Sequence, residues 1–315
     1  MLLDVNDLCT YFSTKEGVVK AVDHVTVSLD EKQTLGLVGE SGSGKSTLGF
    51  SILGLVPPPG KIVNGSISFK GENLLQKKKN ELRKIRGKEI AMIFQNPMTS
   101  LNPVMTIRDH LVEAYRVHED ISEDEAVDRA LEILSSLNIR EERLDDYPHQ
   151  FSGGMKQRVM IALALLHKPD LVIADEPTTA LDVIVQAQIL DLLNELKSQY
   201  ENSLIAITHD LSVVAELADR IGVMYAGKLV ELSDAGALYD EPLHPYTKGL
   251  LESIPRVHLS EKLPKTIPGT PPDLIHPPSG CRFHPRCAKA KAICKDEEPK
   301  MIKVNGRWVA CHLFG

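Results

Sequence analysis

"GESGSGKST", Gly39 to Thr47, decides how the rest of the chain is read. It matches G-x-x-x-x-G-K-[ST] from Gly39 to Ser46. The apolar run "TLGLV" ahead of it has the composition of a buried strand, and "TLGFSIL" behind it suits a helix. A strand, a glycine turn and a helix N-terminus make a cradle for phosphate. Gly42 and Gly44 let the backbone curl so that its amides point inward, with Glu40, Ser41 and Ser43 in the same turn. Lys45 has the length to reach outer phosphates, and the hydroxyl of Ser46, followed by Thr47, is placed to hold Mg²⁺.

The segments around the cradle alternate in type. "VVKAVDHVTVSL", "GSISFKGENL" and "EIAMIFQNP" read as strands, the last stopped by Asn96-Pro97. Residues 97–168 then change period. "SEDEAVDRALEILSSL" opens with a capping-box pattern, Ser122 and Glu125, and Ala126, Ala130, Ile133, Leu134 and Leu137 recur at helical spacing. This reads as an inserted helical subdomain. "DLVIADEP" returns to a buried strand with Asp175 at its end, a position suited to a metal-bound phosphate, and Glu176 next to it can orient water. "VIVQAQILDLLNELK" reads as a helix, "SLIAITHD" as a strand, "LSVVAELADR" as a helix and "IGVMYAGKLVEL" as a hairpin turning at Ala226-Gly227. Strands alternating with helices predict an α/β fold with a mainly parallel sheet.

A second glycine pair, in "FSGGMKQR" from Phe151, opens a helix in the inserted region and is also suited to an anion. Beyond residue 237 the composition shifts. Prolines from Pro242 to Pro278 crowd the chain, which reads as an extended arm leading to a cysteine-bearing tail.

Bulk properties narrow the function. The 315 residues carry a net charge of −7, which argues against a sequence-independent grip on nucleic acid. There is no apolar run long enough to span a bilayer and no secretion signal at the start, so a cytosolic protein with reduced cysteines is expected.

"GESGSGKST", "FSGGMKQR", "LVIADEPTTALD" and the histidine after a strand at His209 together resemble the ATP-binding-cassette ATPases, in that family's order. The resemblance covers about the first 235 residues, within a cassette domain read as residues 1–237, and implies roles position by position. Gln95 matches the glutamine loop that touches Mg²⁺ and the attacking water. Ser152, Gly153 and Gly154 match the signature loop; Met155 departs from the family's usual glutamine. Glu176 matches the catalytic glutamate, His209 the switch histidine, and Asp182 a loop that crosses to a partner. Phe12, or its neighbour Tyr11, matches the aromatic that stacks on adenine. The family also implies ATP and Mg²⁺ as ligands and a head-to-tail pair of cassettes, each signature loop capping the nucleotide held by the other.

Four of the five cysteines lie in residues 281–315: Cys281, Cys287 and Cys294 are spaced C-x5-C-x6-C, and sixteen residues separate Cys294 from Cys311. In a reducing compartment this suggests a metal or cluster, and the spacing leaves zinc and iron–sulfur both open. "EPLHPYTKGLLESIP" and "IPGTPPDLIHPPSGCRFHPRC" resemble the C-terminal extension of the dipeptide/oligopeptide importer ATPases, some of which carry a [4Fe-4S] cluster on such cysteines. That resemblance implies a peripheral subunit on the cytoplasmic face of the membrane. It would dock on two transmembrane permease subunits, pair with a second ATPase chain and be served indirectly by an extracellular solute-binding protein. The same group includes nickel importers. A soluble cassette ATPase acting on nucleic acid or ribosomes is the competing class.

Overall fold

The structure is a computed structural model, and it describes residues 1–96, 100–179, 181–254 and 266–315. In chain order its strands are β1 (Leu3–Ser13), β2 (Val18–Leu29), β3 (Thr34–Val38), β4 (Gly60–Phe69), β5 (Glu72–Asn73), β6 (Ile90–Ile93), β7 (Leu171–Asp175), β8 (Ser203–Thr208), β9 (Arg220–Tyr225), β10 (Lys228–Asp234), β11 (Ile302–Val304) and β12 (Arg307–Val309). The helices used below are α1 (Lys45–Ile52), α2 (Lys79–Ile85), α3 (Ile107–Arg116), α4 (Glu123–Ser136), α5 (Gly153–Leu165), α6 (Val183–Tyr200), α7 (Leu211–Leu217), α8 (Ala235–Asp240), α9 (Pro245–Glu252) and α10 (Ile293–Asp296). The chain forms two compact units. One comprises Met1–Asp30, Thr34–Gln76 and Ile207–Gly315; the other comprises Glu31–Gln33 and Lys77–Ala206.

In the first unit, β2-β1-β4-β5 form an antiparallel sheet, with Leu3 opposite Leu29 and Phe12 opposite Val19. Valine-rich stretches suit the pleated surface, and Val22, Val25 and Val27 turn inward. A second set of strands runs in the order β11-β12-β10-β9-β3. Here β3 is parallel to β9, and β10 is antiparallel to both β9 and β12. All five residues of β3 are buried, as a strand covered on both faces requires.

The β9–β10 hairpin turns at Ala226 (φ 48°) and Gly227 (φ 83°), the paired positive angles of a type I′ turn. The Gly227 amide donates to the Ser43 carbonyl at 2.9 Å, so this turn rests on the phosphate loop. A second such turn at Asn305 (φ 49°) and Gly306 (φ 83°) joins β11 to β12. Its Asn-Gly pair is a hairpin signal readable in the sequence.

The region expected to be an extended proline-rich arm is partly helical. Pro245 sits at the first position of α9, where its missing N–H costs nothing. The His244 imidazole accepts the Tyr246 amide at 3.1 Å as cap. Glu231, fully buried on β10, accepts the Leu243 and His244 amides at 2.8 and 2.9 Å. Pro255 and Pro264 lie outside the described residues. The helix expected over "LSVVAELADR" stops at Leu217, because Arg220 already belongs to β9. The tail then packs inward. Phe283 places its ring 5.1 Å from Tyr225 and 5.3 Å from Tyr246, in a core shared with Leu238.

In the second unit the strand order is β8-β7-β6, with β6 parallel to β7 and every residue of both buried. Ser122 caps α4 by accepting the Glu125 amide at 3.2 Å, and Ala126, Ala130, Ile133, Leu134 and Leu137 form its buried stripe, as the spacing predicted. Helices α3, α4 and α5 fall within residues 97–168; of that span, 97–99 lie outside the described residues. No described helix is long and apolar enough to cross a membrane.

Candidate nucleotide-binding and hydrolysis site

The phosphate loop lies in the first unit, between β3 and α1, as its sequence context predicted. Gly44 caps α1 at φ 102°, and a Cβ there would stand 2.0 Å from the Ala21 carbonyl oxygen. Only glycine satisfies both the angle and the space. Lys45 is buried and curls back over the loop. Its Nζ donates to the carbonyls of Gly39 (2.7 Å) and Glu40 (3.0 Å) and lies 3.3 Å from Ser43 Oγ. An ammonium held over a glycine loop at a helix N-terminus is the arrangement a polyphosphate needs. Ser46 and Thr47 are half-buried at the start of α1, while Ser41 and Gly42 are exposed at the tip.

In the second unit Asp175 ends β7, buried, and Glu176 follows at φ 46°. A left-handed conformation at a non-glycine residue costs about 1–3 kcal/mol and persists where its surroundings fix it. Here they do. The Glu176 Oε2 accepts from Gln95 Nε2 at 2.8 Å and from Thr179 Oγ1 at 2.9 Å, and its carbonyl accepts the Thr179 amide at 3.1 Å. Gln95 and Glu176, named separately from the sequence, are thus brought together. Thr179 was not singled out, although it stands in "DEPTT" three residues on, within reach of such a contact.

Ser152 is the N-cap of α5 and accepts the Met155 amide at 3.3 Å. A Cβ on Gly154 would lie 2.7 Å from Val185 Cγ1 on α6, so packing explains that glycine. Gly153 is exposed, and a Cβ there would meet nothing closer than 3.5 Å. Asp182 caps α6 by accepting the Val185 amide at 2.9 Å. His209 is exposed just after β8, in the first unit.

Of the two aromatics, the Phe12 ring lies against the position of Gly60, whose Cβ would come within 2.5 Å of it. Tyr11 instead donates its hydroxyl to Asp23 Oδ1 at 2.5 Å. Asp23 is the hub of a buried network. It also receives Arg282, whose other Nη reaches the Ala226 carbonyl, and Lys228 at 3.1 Å. Burial raises the Asp23 carboxyl, but the Tyr11 hydrogen bond and the two cations outweigh it and hold the carboxyl below its usual range.

The four tail cysteines are free thiols. Burial pushes Cys281 up to about 11 and raises Cys287 and Cys311, with the neighbouring thiols adding to the effect. Among the described residues, one group of metal-ligand side chains has its ligand atoms within 4.8 Å of one another, namely Cys9, Asp23 and His24. No three tail thiols converge that closely.

A phosphate loop, a buried strand-end aspartate and a clamped glutamate define a P-loop nucleotide hydrolase. The ABC transporter family profile matches residues 22–179, and that of the oligopeptide/dipeptide transporter C-terminal region matches residues 230–294. The oligopeptide transport ATP-binding protein OppD of Escherichia coli is 48% identical over 98% of this chain and 92% of its own. The dipeptide transport ATP-binding protein DppD of Caldanaerobacter subterraneus is 46% identical over 100% of this chain and 97% of its own. In structure, the chain resembles the ATP-binding cassette MJ0796, solved as a dimer in a post-hydrolysis state bound to ADP and Pi. The TM-score is 0.67 with 28% identity, covering 74% of this chain and 99% of that one. The chain belongs to the ABC transporter family, on the branch of its oligopeptide and dipeptide transport ATP-binding proteins, and is an ABC ATPase of mixed α/β fold.

Proposed function

We propose that this chain hydrolyses ATP to power import of dipeptides or oligopeptides through a membrane permease pair, as a peripheral subunit on the cytoplasmic face. The match to the oligopeptide/dipeptide transporter C-terminal region, with relatives that are oligopeptide and dipeptide transport ATP-binding proteins, supports the peptide reading. A second cassette, of the same or another chain, completes each site, and an extracellular solute-binding protein delivers substrate.

The observation that carries the chemistry is the Glu176 carboxylate fixed by Gln95 and Thr179. Phosphoryl transfer to water needs positioning and charge neutralisation above all. Lys45 and the amides of Gly39–Thr47 bind the phosphates. Ser46, Asp175 and Gln95 are the residues that would hold Mg²⁺, and the ion would supply positive charge to the phosphates. Glu176 orients and polarises the attacking water, and His209 contacts the γ-phosphate. Phe12 stacks on the adenine; Tyr11 is the weaker candidate because its hydroxyl is engaged by Asp23. Ser152, Gly153 and Gly154 cap the nucleotide of the partner cassette, with Asp182 at the crossing loop. Replacing Glu176 by Gln should leave ATP binding intact and lower turnover by about 10²–10⁴-fold, the usual worth of a positioned base. Hydrolysis at the parental rate would overturn the assignment.

The tail thiols Cys281, Cys287, Cys294 and Cys311 are read as ligands of a [4Fe-4S] cluster. Three of these thiols lie within the stretch that matches the oligopeptide/dipeptide transporter C-terminal region, and four reduced thiols in one short tail support a metal centre. The cluster would order the tail. Iron and sulfide analysis of anaerobically prepared protein tests this, and stoichiometric zinc without iron would replace the assignment.

A further inference from the structure

Glu40, the second residue of the phosphate loop, has its polar groups fixed from two directions. Its carbonyl accepts Lys45 Nζ at 3.0 Å and the Ser43 amide at 3.2 Å, so it helps to aim the lysine and close the turn. Its other groups are held by the C-terminal region. The Glu40 amide donates to Tyr246 Oη at 2.8 Å. Its carboxylate takes two N–H bonds from Arg286, at 2.7 and 2.9 Å, the forked pairing that fixes a carboxylate in both distance and direction. The Arg286 side chain is only 6% exposed. Its Nε donates to the Pro268 carbonyl at 2.8 Å, and its Nη1 lies 3.3 Å from Tyr225 Oη.

Arg286 is also built into the thiol-bearing turn. Cys287 follows it directly. The Arg286 amide donates to the Phe283 carbonyl at 3.0 Å, the His284 amide to the Cys281 carbonyl at 2.9 Å, and the Cys281 amide to the Cys294 carbonyl at 2.9 Å. Phe283, between Cys281 and Arg286, is locked against Tyr225 and Tyr246. A side chain so placed cannot keep both oxygens of Glu40 if the Cys281–Cys287 turn shifts, since a forked pair tolerates little displacement.

We propose that Arg286 is a positioning residue for the phosphate loop, and that the tail thiol site and the nucleotide site are coupled through the Arg286–Glu40 pair. Whatever orders the Cys281–Cys287 turn then tightens nucleotide binding, and by linkage nucleotide orders the turn. This goes beyond the assignment of a ligand to the thiols and holds for zinc or a cluster alike.

The test uses the full chain and the affinity for ADP and ATP by titration calorimetry, with the unaltered protein as reference. Arg286→Gln should weaken nucleotide binding about tenfold, and Arg286→Lys should recover only part of it, because one ammonium cannot span both oxygens. In a Glu40→Gln background, Arg286→Gln should cause no further loss; an additive loss would mark a general structural role and overturn the pairing. Cys287→Ser should weaken binding about threefold or more in the unaltered chain and leave Arg286→Gln unchanged. Should these variants misfold, the reciprocal experiment needs no variant. Saturating ADP should slow reaction of the tail thiols with a disulfide reagent, read residue by residue by mass spectrometry, about threefold or more. Equal rates with and without ADP would overturn the coupling, whereas absence of ADP binding altogether would instead count against the nucleotide site itself.

Discussion

Arg282→Met removes the guanidinium from the buried hub at Asp23. Both side chains of that pair are 7% exposed. Breaking a buried ion pair from one side costs about 3–5 kcal/mol, because the remaining charge stays out of water. Asp23 would keep Lys228 at 3.1 Å and the Tyr11 hydroxyl at 2.5 Å, which offsets part of the loss. Against that, the Ala226 carbonyl loses its Arg282 donor, worth about 1–3 kcal/mol when an acceptor is left buried. The balance comes to about 3 kcal/mol. With a urea slope of about 3 kcal/mol per molar, the unfolding midpoint should fall by about 1 M. The chain's single tryptophan, Trp308, sits on β12 in the same unit and reports the transition by fluorescence. Arg282→Lys should regain only part, since one ammonium cannot serve both Asp23 and Ala226. A midpoint that moves by less than about 0.3 M would refute the idea that this hub carries stability.

Two further expectations rest on local geometry. Gly44→Ala places a methyl 2.0 Å from the Ala21 carbonyl at φ 102°, so the loop must open; nucleotide affinity measured by calorimetry should fall about tenfold or more, and an unchanged value would refute the required angle. Burial depresses the His244 imidazole to about 3, so the unfolded chain takes up a proton near pH 6.5 that the folded one refuses. Stability from this group is present above about pH 6.5 and is lost as pH falls toward 3, by about 1 kcal/mol between pH 7 and 5.5. Chemical denaturation at the two pH values should show that loss in the native chain and not in His244→Asn, which retains a capping acceptor.

Much of the fold was legible because its signals are local. The strand–glycine–helix order around Lys45, the helical stripe from Ala126 to Leu137 and the turn at Ala226-Gly227 each follow from short-range geometry that residue type dictates. The helix after His244 is hidden in the sequence because proline usually breaks helices, while Pro245 occupies the first helical position, which suits it. The fixing of Glu40 was invisible for a different reason. Arg286 lies 246 positions away in sequence, and nothing in "FHPRC" announces which carboxylate the arginine will meet. Thr179 lay between these extremes: it was close enough to be considered, but its contact depends on the left-handed turn at Glu176, which no residue type there demands.

The closing hairpin has a consequence for how such chains are built and cut. Its strand β12 lies along β10, with Leu232 opposite Trp308, and covers backbone donors and acceptors that would otherwise face outward. A cassette trimmed at the end of β10 would present a raw sheet border ready to recruit any extended peptide. The appendage is therefore no detachable module. To transplant it, one must carry over the border it seals, and to delete it is to expose the β10 edge.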